Sequence, residues 1–321
     1  MKLKNKVAVV TGGARDIGRA VCIKLASEGA KVVVNYFNSE SNRDDTLNEI
    51  ENMGGVATAV HADVSKQADI DKLVEKTKEA YGSSIDILVN NAGGLIERKT
   101  IEEIDENFYN MVMNINFKSV VFVTQAFKSM MKTGGSIINL SSQASRDGGG
   151  PGASIYAASK GAVTTFTRSM AKEFGPIGIR VNAITPGMIT SKFHDDFTND
   201  QVRKAVAQNT PLKREGKAEE VADLVAFLAG NGSSFISGNN VAGCLYDIIE
   251  LGGIFDVDYT LADFGYEYRL TYNMTIDGSI FTIPSGVTVP LPRYNVFVKS
   301  VISNLLEFTP SNVKPAGVIF T

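Results

Sequence analysis

The sequence predicts an α/β fold, a doubly wound parallel sheet with helices on both faces, followed by a β-rich extension. Between residues 6 and 241, short runs of valine and isoleucine alternate with longer stretches of helical periodicity. The short runs are apolar throughout, which is typical of strands covered on both faces. After Gly252 and Gly253 the composition shifts to closely spaced aromatic and β-branched residues. We therefore expect an α/β domain over residues 1–253 and an extension over residues 254–321.

Strands and helices alternate strictly in the first domain. The strand candidates read KVAVV, AKVVVNY, VATAV, IDILVN, GSIINL and GIRVNAI, at residues 6–10, 30–36, 56–60, 85–90, 135–140 and 178–184. The helix candidates lie at about residues 17–28, 41–53, 67–81, 103–131, 155–174 and 218–229. Right-handed crossovers between such elements produce a doubly wound sheet.

The extension is predicted to be antiparallel β structure. Its segment YEYRLTYNMTIDGSIFTIP carries Asp277-Gly278, a dipeptide that favours a type I′ hairpin turn. Prolines argue against one long strand, so we expect short strands joined by turns; they are Pro284, Pro290 and Pro292.

Composition narrows the class of partner. The 321 residues carry a net charge of −3 with a pI near 5.6, which is unlike a nucleic-acid-binding surface. Cys22, Cys244, His61 and His194 are isolated from one another, so no metal site is expected. Neither a signal peptide nor a bilayer-spanning apolar segment is evident. We therefore expect a cytoplasmic protein with a small-molecule partner and no role at nucleic acid or membranes.

The segment VAVVTGGARDIGRAV reads as a strand, a glycine turn and a helix. In such a unit, glycines let the backbone approach a phosphate, and the helix N-terminus presents N–H groups and a positive dipole to it. Gly-rich turns of this kind are also common as plain structural connections, so this motif alone leaves both interpretations open.

A second pattern lies in SIYAASKGAV, where Tyr156 and Lys160 are one helical turn apart on the same face. An ammonium beside a phenol favours the phenolate and lowers the phenol pKa, which would make Tyr156 a usable acid and base. Taken alone, such a pair is more often two exposed surface side chains.

Five motifs occur in one order: TGGARDIG, NNAG, NLSS, YAASK and TPGMIT. In this order they resemble the short-chain dehydrogenase/reductase family over about residues 5–241, nearest its 3-oxoacyl-carrier-protein reductase-like branch, which includes sugar and uronate reductases. The resemblance implies a Rossmann-type fold and an NAD(P)-dependent oxidoreductase acting on CH–OH and C=O groups. It also implies a homodimer or homotetramer, paired through the helices near 103–131 and 155–174.

The resemblance assigns catalytic roles to four residues. Ser142 would polarise a ketone or aldehyde oxygen, Tyr156 would donate the proton, and Lys160 with Asn116 would resupply it. Ser141 and Ser145 are the alternatives for the hydroxyl, and Asn116 could instead be a polar residue that bonds only within its own helix.

The resemblance also implies a set of cofactor contacts, with Asp63 and Val64 at the adenine, Asn90 to Gly93 at the ribose and Thr190 at the carboxamide. The full set is Thr11, Gly12, Arg15, Ile17, Gly18, Asn35, Asp63, Val64, Asn90, Ala92, Gly93, Tyr156, Lys160, Pro186, Gly187, Ile189 and Thr190. Asn35 stands where a carboxylate would repel a 2′-phosphate, and Arg15 could bind one, which favours NADP(H) over NAD(H). A solvated Arg15 is the alternative.

One position departs from the family pattern, since Asp16 replaces the usual middle glycine of the turn. We expect Asp16 to cap the helix N-terminus with its carboxylate turned away from the phosphates. A carboxylate that faced the pyrophosphate would repel it and weaken cofactor binding.

The sequence says less about the substrate than about the cofactor. The charged segment 188–210 is predicted to form a lid. Arg98 and Arg146 flank the expected pocket mouth, which suggests an anionic or polyhydroxylated carbonyl such as a keto-sugar acid or a 3-oxoacyl thioester. Two solvated loop arginines are the alternative.

A different class of function is also considered. The dinucleotide site could serve sensing while the extension binds a partner, making the chain an interaction protein. The complete set of four catalytic residues argues against this, because a binding module has no need of them together.

Overall fold

The computed structural model describes residues 2–38, 40–191, 197, 198 and 200–243, and beyond them the backbone of strands at 248–255, 259–260, 267–276, 281–282, 296–298 and 318–320. The chain divides into two compact units, residues 1–245 and 246–321. The predicted boundary at 253/254 falls inside the strand Ile248–Phe255, which contains the glycine pair that suggested it.

One parallel sheet forms the centre of the first unit. Its strands are β1 (Val7–Val10), β2 (Lys31–Tyr36), β3 (Val56–His61), β4 (Ile85–Asn90), β5 (Met131–Leu140), β6 (Arg180–Pro186) and β7 (Asn240–Gly243). They lie in the order β3-β2-β1-β4-β5-β6-β7, and every pair is parallel. The predicted doubly wound sheet is confirmed, and β7 is an addition to the six predicted strands.

The helices pack on both faces of this sheet. They are α1 (Asp16–Ser27), α2 (Glu40–Asn52), α3 (Gln67–Tyr81), α4 (Glu106–Met113), α5 (Ser119–Lys128), α6 (Ala144–Asp147), α7 (Ser154–Phe174), α8 (Asp200–Asn209) and α9 (Ala218–Ala229). The predicted helix near 103–131 consists of α4 and α5 joined by a π-helical turn, Asn114–Lys118. Helix α8 was not predicted, and no described helix is long and apolar enough to cross a membrane.

Alternate residues of the strands enter separate cores. Val10 and Val34 belong to the cluster that packs under α1 and α9. Val9 and Val33 belong to the other cluster, together with Phe127 of α5. Both faces of the strands are thus buried, as their unbroken apolar sequence predicts.

The second unit contains β8 (Ile248–Phe255), β9 (Tyr259–Thr260), β10 (Glu267–Ile276), β11 (Phe281–Thr282), β12 (Val296–Val298) and β13 (Val318–Phe320). Every described pair is parallel, in the orders β13-β12-β10-β8 and β11-β9, so the prediction of antiparallel strands is wrong. The hairpin reasoning failed because β10 and β11, the strands before and after Asp277-Gly278, belong to different sheets. The dipeptide itself and the three prolines lie outside the described residues.

Candidate active site at the carboxyl edge of the sheet

The turn between β1 and α1 has no room for side chains at two glycines. Gly12 has φ +63°, and a Cβ atom on it would lie 3.1 Å from the Cα atom of Ala92. A Cβ atom on Gly18 would lie 2.0 Å from the carbonyl oxygen of Gly12, far inside contact distance. The first turn of α1 is therefore pressed against the glycine turn, which leaves a backbone-lined surface of the kind that accepts a phosphate.

Side chains from the end of β4 hold this turn in place. The Thr11 Oγ1 atom accepts the backbone N–H groups of Asn91 and Ala92, each at 3.0 Å. The Asn91 amide donates to the carbonyl oxygens of Thr11 at 2.9 Å and Gly12 at 3.0 Å. Asn91 lies within the range 90–93 predicted to contact the ribose, but its role in holding the glycine turn was not predicted, although the doubled asparagine of NNAG was the signal for it.

Asn35 has a structural role in the same turn. Its side chain is 2% exposed, its Oδ1 atom accepts the Gly12 N–H at 3.2 Å, and its Nδ2 atom donates to the Ala62 carbonyl at 2.9 Å. Asn35 thus bridges the glycine turn and the residue after β3, and its contact with the cofactor stays a prediction.

The backbone places Asp16 one residue later than the predicted cap position. The N-cap position belongs to Arg15, which makes no side-chain cap, and Asp16 is the first helical residue with φ +50°. This left-handed conformation explains why glycine is usual at this position, since aspartate tolerates it better than most residues. The Asp16 carboxylate lies 3.8 Å from Nε of Arg15, whose side chain is half-exposed.

Two further predicted cofactor residues are engaged by neighbouring side chains. The Asp63 carboxylate accepts the backbone N–H of Ser65 at 3.0 Å and its hydroxyl at 2.7 Å. The Thr190 hydroxyl donates to Glu215 at 2.9 Å.

The remaining predicted residues of this set lie at or just after the ends of strands, except Ile17 in α1. Asn90 is buried and donates to Asn139 of β5 at 2.8 Å and to Thr124 of α5 at 3.1 Å, which ties β4 to its neighbours. Val64 and Ile189 are buried. The others are Gly93, Pro186 and Gly187.

Ser142 and Tyr156 come together after β5 and in the first turn of α7. Their hydroxyl groups are hydrogen-bonded, and Tyr156 is partly buried. Burial raises the pKa of Tyr156, and the hydrogen bond with Ser142 only partly opposes it. The prediction that the phenol pKa is lowered is therefore wrong for the protein alone, because the loss of hydration outweighs the favourable groups nearby.

Lys160 lies beneath Tyr156, with its Nζ atom 5.8 Å from the centre of the tyrosine ring. The ammonium donates to the carbonyl oxygen of Leu140 at 2.8 Å. No described carboxylate lies within ion-pair distance of it, and burial lowers its pKa to about 8. This is a buried charge with little local compensation, a frequent property of functional sites.

Asn116 joins this group through the π-helical turn. Its amide donates to the Gly94 and Val112 carbonyls at 2.7 and 2.9 Å, and its Oδ1 atom accepts the Gly94 N–H at 2.9 Å. A Cβ atom on Gly93 would lie 2.6 Å from that Oδ1 atom and 3.0 Å from Nζ of Lys160. Asn116 and Lys160 thus meet across Gly93, and π-helical turns are frequent at functional sites.

The alternative serines are less suited to contact a substrate. The Ser141 hydroxyl donates to the Lys160 carbonyl at 2.9 Å and lies 2.9 Å from the Thr164 hydroxyl. The Ser145 hydroxyl is buried without a hydrogen-bond partner among the described residues, as is the Oε1 atom of Gln143. Ser142 is the serine that reaches Tyr156.

The pocket mouth differs from its prediction. Arg98 donates to the backbone carbonyls of Pro151 at 2.9 Å and Phe197 at 3.2 Å, so its guanidinium is engaged by the protein. The central part of the predicted lid, 192–196 with His194, and also Cys244, lie outside the described residues. In the part of the chain that the structure describes, no group of three or more His, Cys, Asp or Glu is arranged to hold a metal.

Comparison with known proteins places this site in a family. The enoyl-(acyl carrier protein) reductase family model matches residues 12–243. An uncharacterized oxidoreductase of Methylorubrum extorquens is 38% identical over 239 residues, covering 74% of this chain and 95% of its own. A hydroxynaphthalene reductase-like protein of Metarhizium majus is 34% identical over 248 residues, covering 74% and 92%.

A solved structure agrees with these relatives. The short-chain dehydrogenase from Burkholderia cenocepacia in complex with NADP has a TM-score of 0.69 at 31% identity, covering 75% of this chain and 97% of its own. The family model ends at residue 243, before the second unit begins. The chain belongs to the short-chain dehydrogenase/reductase family and is an NAD(P)-dependent oxidoreductase.

Proposed function

We propose that the protein reduces a ketone or aldehyde to an alcohol at the expense of NADPH. The observation that supports this most is the convergence of Ser142, Tyr156, Lys160 and Asn116 at the carboxyl edge of the sheet, beside the glycine turn. Ligands of open parallel sheets bind at this edge. A pure dinucleotide sensor would have no use for a hydrogen-bonded hydroxyl pair above a buried ammonium.

The glycine turn fits a dinucleotide. Gly18 has no room for a Cβ atom and Gly12 has a positive φ and little room for one, so glycine backbone lines the turn at the N-terminus of α1. Arg15, half-exposed at this turn, would bind a 2′-phosphate, and the buried Asn35 presents no carboxylate against it. The NADP in the Burkholderia relative supports the same choice.

The proton is held at Tyr156. Because burial raises its pKa, the phenol is protonated at neutral pH, which is the form needed to donate to a carbonyl oxygen. Ser142 positions the carbonyl oxygen beside that phenol by a second hydrogen bond. A bound reduced nicotinamide supplies the hydride to the carbonyl carbon.

Lys160 and Asn116 maintain the proton supply. The Lys160 ammonium, whose pKa falls to about 8, exchanges protons near neutral pH far more readily than an ordinary lysine. Asn116 orders the Gly93-Gly94 backbone between its own helix and that ammonium. When Tyr156 has given up its phenol proton, a proton supplied from the side of Lys160 and Asn116 replaces it.

The substrate is a small-molecule carbonyl compound. An anionic substrate, such as a keto-sugar acid or a 3-oxoacyl thioester, was the hypothesis that rested on Arg98 and Arg146. At Arg98, Nε and one terminal nitrogen of the guanidinium already donate to backbone carbonyls, so fewer of its N–H groups are left for such a substrate. A homodimer or homotetramer, as is usual in the family, completes the proposal.

The test is NADPH and NADH oxidation with a panel of ketones, 2-keto sugar acids and acetoacetyl thioesters, with Tyr156→Phe run beside the wild type. We expect faster turnover with NADPH and a loss of about 10²–10⁴-fold in the variant. Tyr81→Phe is the matched control, since burial also raises the pKa of Tyr81, to about 12, but Tyr81 ends α3 away from the site. Equal activity of Tyr156→Phe and the wild type would refute the proposal.

A further inference from the structure

Arg203 of α8 and Glu215 form an ion pair with two points of contact. Nε of Arg203 donates to Oε1 of Glu215 at 2.7 Å, and Nη2 donates to Oε2 at 2.6 Å. The two side chains are only 16% and 17% exposed. A guanidinium that binds a carboxylate through two N–H groups fixes the position of both partners. The Glu215 carboxylate is therefore held at one place, between α8 and the segment that leads into α9.

The same carboxylate reaches the segment that follows β6. Its Oε2 atom accepts the hydroxyl of Thr190 at 2.9 Å. The backbones of the two segments are joined as well, because the Gly216 N–H donates to the Met188 carbonyl and the Thr190 N–H donates to the Gly216 carbonyl, each at 2.9 Å. Thr190 is thus fixed through its backbone and its side chain, although it is exposed.

This arrangement commits the hydroxyl proton of Thr190. A carboxylate only accepts hydrogen bonds, whereas a hydroxyl has one proton to donate and two lone pairs that accept. Because the Thr190 proton points at Glu215, a ligand meets the lone pairs of the Thr190 oxygen. Thr190 therefore binds a ligand group that donates, such as an amide N–H, in preference to one that only accepts.

Thr190 lies on the side of the sheet where the reactive end of a dinucleotide belongs. On one side of β1 the strands follow in the order β4, β5 and β6, so a dinucleotide with its phosphates at the glycine turn extends toward β5 and β6. Ser142 follows β5, and the next residue, Gln143, donates its N–H at 2.9 Å to the carbonyl of Pro186, which ends β6. Hydride transfer brings the nicotinamide within about 3.5 Å of a carbonyl carbon held beside Ser142.

We propose that Glu215 is a positioning residue for the cofactor. By accepting the Thr190 hydroxyl, it makes the Thr190 oxygen the acceptor for the carboxamide N–H of the nicotinamide and so decides which way the carboxamide points. This rests on the NADP site of the proposed function. A carboxamide turned the other way would bring its carbonyl oxygen against the Thr190 lone pairs, which is unfavourable. Arg203 holds Glu215 in place and thereby ties α8 to the same contact.

The experiment compares the binding of NADP with that of 3-acetylpyridine adenine dinucleotide phosphate, in which a methyl group replaces the NH2 group of the carboxamide. Isothermal titration calorimetry measures both dissociation constants without any turnover. We expect the wild type to bind NADP about fivefold more tightly than the analogue, which is the size of one hydrogen bond. In Glu215→Ala the Thr190 hydroxyl can turn and donate to the acetyl oxygen, so this ratio should fall below about twofold.

Glu220→Ala is the matched control, because Glu220 also binds an arginine, Arg214, through both carboxylate oxygens, whereas Thr190 donates to Glu215. The ratio of the two dissociation constants should stay at the wild-type value in Glu220→Ala. If Glu215→Ala did not fold, Arg203→Leu/Glu215→Ala, which removes the ion pair whole, would take its place with the same expected ratio.

Three results would overturn the role of Glu215: an unchanged ratio without Glu215, an equal fall of the ratio in Glu220→Ala, or a wild type that binds both dinucleotides equally well. A wild type that shows the expected ratio but reduces no carbonyl compound would refute the proposed reduction and leave the role of Glu215 intact. A wild type that binds neither dinucleotide would refute both.

Discussion

The two edges of the same sheet each bury a charged side chain, with different compensation. At the amino edge, Asp86 is 5% exposed, accepts the Val7 N–H at 2.9 Å and lies 3.1 and 3.6 Å from the ammonium groups of Lys6 and Lys132. At the carboxyl edge, Lys160 is 4% exposed and has the Leu140 carbonyl as its hydrogen-bond acceptor. Asp86 and Lys160 are both buried and charged. They differ in the number and the charge of the groups that contact them.

From this difference we expect Asp86 to serve stability and Lys160 to serve the chemistry. A buried charge without an opposite charge destabilises the fold. Asp86 is compensated by two cations and a backbone donor, so its removal should be felt in stability. Lys160 is held in spite of its cost, so its removal should be felt in turnover. Substitutions at the two edges therefore have opposite expected consequences.

The largest effect is expected at Lys160. In Lys160→Met, turnover should fall about 10²–10⁴-fold because the proton supply to Tyr156 is lost. The same variant should be more stable at pH 7 by roughly 2 kcal/mol, since a pKa lowered from 10.5 to about 8 opposes folding and only one hydrogen bond is lost. Steady-state kinetics and urea unfolding measure the two quantities.

The lowered pKa of Lys160 also decides how stability changes with pH. Between pH 8 and 10.5 the unfolded wild type binds the lysine proton and the folded protein does not, so wild-type stability rises with pH in this window. The advantage of Lys160→Met is therefore full below pH 8 and shrinks above it. If Lys160→Met were less stable than wild type at pH 7, and if the stability difference did not change above pH 8, the contrast between Lys160 and Asp86 would be wrong.

A smaller and opposite effect is expected at Asp86. In Asp86→Asn, the ion pairs with Lys6 and Lys132 are lost while the shape is kept, so unfolding should require about 1–3 kcal/mol less. Turnover per folded molecule should remain within about twofold of wild type, because the site lies at the other edge. Urea unfolding and kinetics below the transition check this, and a selective loss of kcat would contradict it.

The smallest effect concerns the glycine turn. Asp16→Gly removes both a left-handed non-glycine residue and a carboxylate near the expected phosphate site, so NADPH should bind about two- to fivefold more tightly. Fluorescence titration at low and high salt measures this, with Asp16→Asn as the control that removes the charge but keeps the branched side chain. If Asp16→Asn bound NADPH more weakly than wild type, the carboxylate would be a favourable element of the site.

Much of the first unit was predictable because its signals are local. Unbroken runs such as KVVVN give a buried parallel strand from sequence alone, and Tyr156 and Lys160 share a face by helical spacing. The four-residue strand β7 and the polar helix α8 have no comparable signal, since neither carries a long apolar pattern.

What the sequence did not show depended on contacts between distant residues. Asn35 was interpreted as a cofactor contact near the end of a strand, and its sequence position does not show that its amide also bonds the glycine turn and the residue after β3, which only the folded sheet brings together. The turn signal at Asp277-Gly278 predicted that β10 pairs with the strand after it, whereas β10 pairs in parallel with β8 and β12. The pKa of Tyr156 likewise depends on burial, which helical spacing does not give.

The π-helical turn also sets the angular phase of the helices around it. Phe108, Val112, Asn116 and Val120 are all buried at a spacing of four residues. In an uninterrupted α-helix, four residues turn through about 400°, so three such steps would carry Val120 about 120° away from Phe108. The wider turn at 114–118 absorbs this drift. Deleting a single residue there would restore a regular helix and rotate either Asn116 away from Gly94 or the apolar face of α5 out of the core, so this segment constrains the length of the chain as well as its composition.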